Sequence, residues 1–343
     1  RSIQTDVSSQ YYNSAYMNNY YNMLSGYGYY GGYGNYYDNY ESYYDPDKSI
    51  KMFGVSVGWG KRLRWPDDYF TLSAELSYQR FMLKDWSYLY IKLNNGQYMN
   101  TGNCNNLSLN LTLSRNSTDN PIFPRYGSEF SASLQITPPY SLFSKKDYST
   151  YGKDNYHDAA SMYKWIEYHK WKLKFRNFTA LAGVVKAPVL MTRVEFGILG
   201  AYNQHKKSPF ETYYVGGDGM SGYSSGYATE TIGLRGYDNG ALAGNSAPDA
   251  YAYSRMTLEL RYPLMLESST SIFALAFLEG GNAWTDVKKF NPFNMKRSAG
   301  VGVRILLPMV GLMGIDWAYG FQKYVNGTKA GGSQFHFIIG QEF

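Results

Sequence analysis

Few residues in this chain are spaced for bond-making chemistry, but one arginine is placed to hold a loop. Gly217-Asp218-Gly219-Met220-Ser221-Gly222 fits the GxGxxG spacing that lets a backbone approach a dinucleotide. Gly222-Tyr223-Ser224-Ser225-Gly226 fits the GxSxG spacing of a nucleophile elbow. Both chemistries need a strand before the motif and a helix after it, to aim the phosphates or the hydroxyl. No helical period follows either one, and seven glycines between Gly216 and Gly236 make such spacings common by chance. His157, His169, His205 and His336 are scattered without the spacing of a metal site, so the expectation is no metal, no cofactor and no enzyme. Arg235 is different. Its planar guanidinium can grip a carboxylate through two parallel hydrogen bonds, and it lies in a connection of nearly fifty residues, 203–251, too long to be idle.

The elements that must position Arg235 and its acids are strands. Strict alternation recurs along the chain, as in Leu107, Leu109, Leu111 and Leu113 against Ser108, Asn110, Thr112 and Ser114. Ala299, Val301, Val303 and Ile305 likewise oppose Ser298, Gly300, Gly302 and Arg304. Eleven strands follow from this pattern: 51–63, 69–84, 105–117, 127–138, 162–178, 188–203, 252–264, 270–284, 296–308, 311–322 and 332–343. Residues 1–7 read as the tail of another. Within 252–264, Met256, Leu258 and Leu260 share one face, which turns Arg255, Thr257, Glu259 and Arg261 to the other. Within 270–284, Ile272, Ala274, Ala276 and Leu278 share a face, which turns Phe277 and Glu279 the same way as Glu259.

Two all-β designs alternate like this, a soluble sandwich and a membrane barrel. Strands of twelve or more residues can cross a bilayer at a tilt, whereas soluble strands average about five or six. Connections alternate too. Those after Leu264 and Pro308 are tight, while 8–48, 139–161 and 203–251 are long, as expected of periplasmic turns and external loops. Charges stand mid-strand at Lys170, Lys172, Lys174 and Arg176, opposite Trp171, Leu173 and Phe175. Aromatics make up 18% of the chain and charged residues 17%, which suits one greasy face and one wet one. No apolar run is long enough for a membrane helix; the best, Ala180 to Met191, is broken by Lys186 and Pro188. The net charge of +6 is spread out and forms no nucleic-acid patch. Lone Cys104 leaves the redox compartment open, and the start Arg1-Ser2-Ile3-Gln4 reads as the middle of a longer protein. Tyr11 to Tyr44 holds fourteen tyrosines without a periodic face and reads as an external loop. The fold expected is therefore an all-β, antiparallel transmembrane β-barrel filling residues 1–343.

Several motifs then fall in one order. Tyr213-Tyr214-Val215-Gly216-Gly217 leads to Leu234-Arg235-Gly236-Tyr237; Leu258-Glu259 follows, then Phe277-Leu278-Glu279-Gly280-Gly281, and Phe123-Pro124-Arg125-Tyr126-Gly127 precedes them. Over about residues 105–343 this resembles the BamA superfamily of outer-membrane insertases, with its (V/L)RG(F/Y) loop tip, FxDxG strand and FPxxG turn, and the phrasing is closest to the Bacteroidetes type. Glu279 departs from the pattern, standing where the family usually has Asp. Alternation alone leaves Arg235 either pinned by Glu259 and Glu279 or solvated, with Glu279 paired to a lumen lysine. The resemblance implies the pin, with 203–251 plugging the lumen and Phe277 and Gly281 beside the acids. It also implies a sixteen-stranded barrel, of which about eleven or twelve strands are in this chain, and periplasmic POTRA domains outside it.

The last strand sets Phe335, Phe337, Ile339 and Phe343 on one face and Gln334, His336, Ile338 and Gly340 on the other. A final aromatic is the ordinary sorting signal of a barrel. In the family this strand meets the first at a weak seam, whose unpaired edge templates a client strand. The implied partners are unfolded outer-membrane proteins, outer-membrane lipids and assembly-complex lipoproteins, and the implied place is the outer membrane of a diderm bacterium. Three rivals remain, a protein-translocation barrel of the same superfamily, a passive porin and an outer-membrane enzyme.

Overall fold

A computed structural model describes residues 2–13, 49–85, 91–92, 98–99, 101–144, 146–149, 161–184, 186–219, 230–242, 250–267, 270–307, 311–325 and 327–339. Its frame is one twelve-stranded antiparallel sheet. In chain order the strands are β1 (Ser2–Asn13), β2 (Ser49–Arg62), β3 (Phe70–Lys84), β4 (Gly102–Asn116), β5 (Tyr126–Ile136) and β6 (His169–Ala180). They continue as β7 (Val189–Gly200), β8 (Ala252–Leu266), β9 (Ser271–Trp284), β10 (Lys296–Leu307), β11 (Gly311–Gly320) and β12 (Ser333–Ile339). Each pairs with its sequence neighbours, and among the described residues the end strands β1 and β12 do not pair with each other.

The two faces are inverted relative to a soluble protein. Val57, Trp59, Leu258, Leu260, Leu278, Val301, Ile315, Trp317, Phe335 and Phe337 are exposed, whereas Arg193, Glu195, Arg255, Glu259, Arg261, Glu279, Arg304 and Asp316 are buried. Greasy side chains outside and charges inside are stable only where the outside is lipid. The sheet is thus the wall of a transmembrane β-barrel, and alternation along each strand dictates which side chain enters the lumen. Among the described residues no helix is long and apolar enough to cross a membrane.

Several boundaries differ from the sequence reading. Residues 1–7, read as the tail of a further strand, are the start of a longer one: β1 runs to Asn13, pairing Ser2 with Gly60 and Asn13 with Ser49, and it is the twelfth strand of the sheet. The stretch 162–178 does not start as a strand. Ile166 donates its N–H to the Asn105 carbonyl at 2.9 Å, and Met162, Ile166 and Tyr168 are buried, so 161–168 folds against the wall and β6 begins only at His169. β7 ends at Gly200, three residues early. Beyond Asn13 the tyrosine-rich segment lies outside the described residues, as do residues 220–222 of the first glycine motif, the whole of the second, and Gly340 and Phe343.

Candidate functional site

The connection between β7 and β8 is built into the lumen. Its stem is a short parallel pair, Tyr213–Val215 with Glu230–Ile232, extended by a bridge in which Leu234 donates to the Gly217 carbonyl at 3.0 Å. Aromatic and ionic contacts fix this stem to the wall. Phe210 stacks on Phe81 of β3 at 4.7 Å, and Tyr213 meets Tyr253 of β8 edge-on at 4.7 Å. Lys170 of β6 reaches Glu211 at 3.2 Å, and Lys172 reaches Glu230 at 2.5 Å. Burial works against the Glu230 charge, but Lys170 and Lys172 overcome it and hold the carboxyl below its ordinary range.

The stem delivers Arg235, fully buried, into a cage of three acids from three strands. Its Nε lies 3.3 Å from Glu279 Oε2, its Nη1 2.9 Å from Asp316 Oδ2 and its Nη2 3.3 Å from Glu259 Oε2. Its backbone N–H donates to Glu279 Oε2 at 2.9 Å, and its Cζ stacks 3.4 Å from the centre of the Phe277 ring. Each acid also has an arginine of its own. Arg255 gives Glu279 Oε1 two bonds, at 2.9 and 2.6 Å, while Arg261 gives Glu259 Oε1 one at 2.7 Å. Arg304 grips Asp316 with both terminal nitrogens, at 2.6 and 2.8 Å. The wall thus holds three ion pairs of its own, and Arg235 docks onto the second oxygens of Glu279 and Glu259 and shares Asp316 Oδ2 with Arg304. Burial opposes its charge, and Glu279, Glu259 and Asp316 together raise its pKa above the ordinary value all the same.

The neighbours of Arg235 fit it to the last strands. The Gly236 N–H donates to His336 Nε2 on β12 at 2.8 Å, Tyr237 Oη donates to the Arg297 carbonyl at 2.6 Å, and Gln334 Nε2 donates to Asp238 Oδ1 at 2.6 Å. Gly236 has φ +87°, and a Cβ there would stand 2.7 Å from the Gly320 backbone nitrogen, so glycine is required twice over. At Gly281 a Cβ would meet the Ser254 carbonyl at 2.8 Å and Leu234 Cδ1 at 3.0 Å; the missing side chain is where Leu234 lies. The structure thus brings together Leu234, Arg235, Gly236, Tyr237, Glu259, Phe277, Glu279 and Gly281. Phe335 and Phe337 face outward, away from this site, and pair with Trp317 and Ile315.

Asp316, Arg304 and His336 join the cage although the motifs do not name them. A signal existed for the first two. Asp316 interrupts Ile315 and Trp317, and Arg304 interrupts Val303 and Ile305, so each is a charge at an inward position of an otherwise greasy strand.

The model of the Omp85 superfamily domain matches residues 2–343. The chain belongs to the Omp85 superfamily. Among solved structures, BamA from Haemophilus ducreyi lacking POTRA domains 1–3 superposes with a TM-score of 0.56 at 18% identity, covering 85% of this chain and 54% of that one. The Omp85 barrel described here therefore spans about half the length of that BamA chain. LpxR from Salmonella typhimurium also matches, over 97% of both chains, but with a TM-score of 0.26 and 9% identity the likeness is too loose to argue from. No curated protein sequence matches the chain.

Proposed function

We propose that this chain is the barrel of an outer-membrane protein assembly factor, which folds client barrels into the outer membrane through a seam at its last strand. The observation that carries this reading is the buried loop tip. A lumen whose wall is bonded to a fixed arginine is poorly suited to steady conduction, so useful work is left to the wall itself. At β12 the wall has an edge that pairs with β11 and with no other strand among the described residues. In hydrocarbon each unmet backbone N–H or C=O costs several kcal/mol. An edge that lends its hydrogen bonds to an incoming strand removes that cost one strand at a time. No bond is made or broken, so neither cofactor nor catalytic residue is needed. The implied partners are unfolded outer-membrane proteins and the surrounding lipids, with assembly lipoproteins on the periplasmic side.

The full-length protein in liposomes should speed the folding of a denatured outer-membrane barrel, followed by the appearance of protease-resistant, heat-modifiable client. Folding no faster than in empty liposomes would sink the reading. A client delivered into the liposome interior or released beyond it, instead of kept in the bilayer, would favour a translocation barrel.

A further inference from the structure

We infer that His336 is a pH-sensitive latch between the loop tip and the last strand, closed while its imidazole is neutral and released when the ring takes up a proton. The inference starts from one atom. His336 Nε2 accepts the Gly236 N–H at 2.8 Å, and only an unprotonated ring nitrogen can accept. The neutral ring therefore carries its proton on Nδ1. The imidazolium is a donor at both nitrogens and has nothing to offer the Gly236 N–H.

Gly236 is poorly placed to turn away from a protonated ring. Leu234 is bridged to Gly217 on one side of it and Tyr237 to Gly331 on the other, so the backbone between them is held. The ring is buried, so bulk water does not take over the lost bond. The charged groups that act on it are Arg235, Asp218 and Asp238 from the loop, Glu279 from β9, and Asp316 from β11, its partner across the ladder. Asp316 already accepts from Arg235 and Arg304, and Glu279 from Arg235, Arg255 and Thr257. An imidazolium drawn to either wall acid competes with guanidiniums, and one drawn to Asp218 or Asp238 donates where it once accepted. In each case the Gly236 bond is lost.

The latch is separable from the Arg235 cage. The three carboxylates that hold Arg235 stand on β8, β9 and β11. The tip is tied to β12 by two side-chain hydrogen bonds, Gly236 to His336 and Gln334 to Asp238. Opening His336 removes one of those ties and leaves the cage standing. It does so on a strand that pairs only with β11 among the described residues. A bond made by the neutral ring alone contributes above the ring's pKa and is lost as pH falls through it; an ordinary imidazole titrates near about 6.5. What release of β12 does for a client rests on the insertase reading, but the latch itself is measured without a client, so the two can fail separately.

The test uses the full-length protein in detergent with isotope-labelled histidine, the signal missing from His336→Gln being that of His336. Near about pH 8 the ring should be the Nδ1–H tautomer, and near about pH 5 the imidazolium. Hydrogen exchange is followed alongside, with β9 amides of the same molecule as reference so that the intrinsic pH dependence cancels. Relative protection of residues 235–237 and of β12 should fall about tenfold between those two conditions, the equivalent of one net hydrogen bond. His336→Gln supplies an acceptor that does not titrate and should stay protected throughout. His336→Phe supplies none and should be exposed throughout, with its heat-modifiable band intact. The inference is overturned if the neutral ring carries its proton on Nε2, if it stays neutral in the folded barrel at the lower pH, or if it protonates while protection of 235–237 relative to β9 is unchanged.

Discussion

Replacing Arg235 by alanine and replacing Glu279 by alanine should have different consequences, although the two side chains touch. Arg235→Ala removes the contacts to Glu279, Asp316 and Glu259 and the stack on Phe277, but every acid keeps its wall arginine. The barrel wall remains charge-balanced and should fold. What is lost is the docking of the tip. Hydrogen bonds to charged groups contribute about 1.5–3 kcal/mol each, and the three lost here, discounted for non-additivity, amount to about 3–5 kcal/mol. At about 1.4 kcal/mol per tenfold, that shifts the docked-to-undocked equilibrium by roughly 100-fold to 4,000-fold. Glu279→Ala instead leaves two buried guanidiniums, Arg235 and Arg255, without a carboxylate that each now contacts, so it should destabilise wall and loop together. Hydrogen exchange separates the two cases. In Arg235→Ala, amides of residues 230–238 should exchange at least about 100-fold faster, with β8 and β9 unchanged and the heat-modifiable band intact. In Glu279→Ala, β8 and β9 should exchange faster as well. Arg235→Lys should resemble Arg235→Ala, because one ammonium cannot reach three carboxylates on three sides. If Arg235→Ala leaves exchange at 230–238 at the wild-type rate, the docking argument is wrong.

Other consequences can be checked more briefly. Gly281→Ala puts a methyl into the space of Leu234 and should loosen the tip by about 1–3 kcal/mol, read as earlier cleavage of the loop in limited proteolysis; unchanged cleavage would mean that the close approach is not limiting. Cysteine at Asn291 should react with an impermeant reagent in intact cells while cysteine at Glu267 should not, and the reverse labelling would invert the barrel. Cysteines replacing Asp238 and Gln334, whose side chains now share a 2.6 Å hydrogen bond, should cross-link on oxidation. If β12 must leave the tip to accept a client, that cross-link should stop client folding until a reductant is added; full activity in the cross-linked protein would remove any need for β12 to move.

Alternation made most of this fold legible, because a barrel wall in lipid repeats one instruction along every strand. It failed where the instruction was absent or mimicked. Ser8-Ser9-Gln10-Tyr11-Tyr12-Asn13 has no greasy face to count, yet β1 continues through it, since backbone pairing with β2 needs no particular side chains. Residues 162–168 supply apolar side chains at mixed spacing, and Met162, Tyr163, Ile166 and Tyr168 are buried inward as a loop rather than displayed on a strand. At the site, parity alone aims Glu259 and Glu279 into the lumen, and the same parity aims Arg304 and Asp316 there. Which inward charges meet was not legible, because that depends on the stagger of tilted strands. Asp316 pairs in register with Gly302 and Glu279 with Ser298, so no reading of one strand at a time places both beside Arg235.

The extra carbon at position 279 can be tested by the same logic. Glu279 accepts from two directions: Arg255 and Thr257 on β8 approach Oε1 at 2.6–2.9 Å, while the backbone and Nε of Arg235 approach Oε2 at 2.9 and 3.3 Å. Glu279→Asp draws the carboxylate back by about one C–C bond, roughly 1.5 Å. Thr257 is fixed opposite residue 279 by the β8–β9 ladder, and Arg255 is long enough to follow the retreating carboxylate. The Arg235 backbone N–H cannot follow, because the Leu234 bridge to Gly217 and the Gly236 bond to His336 hold it on both sides. The loop contact should therefore fail first, leaving exchange at residues 230–238 between wild type and Arg235→Ala, with β8 and β9 still protected. Protection at 230–238 equal to wild type would show that an aspartate reaches both partners, and that the longer acid has no structural consequence here.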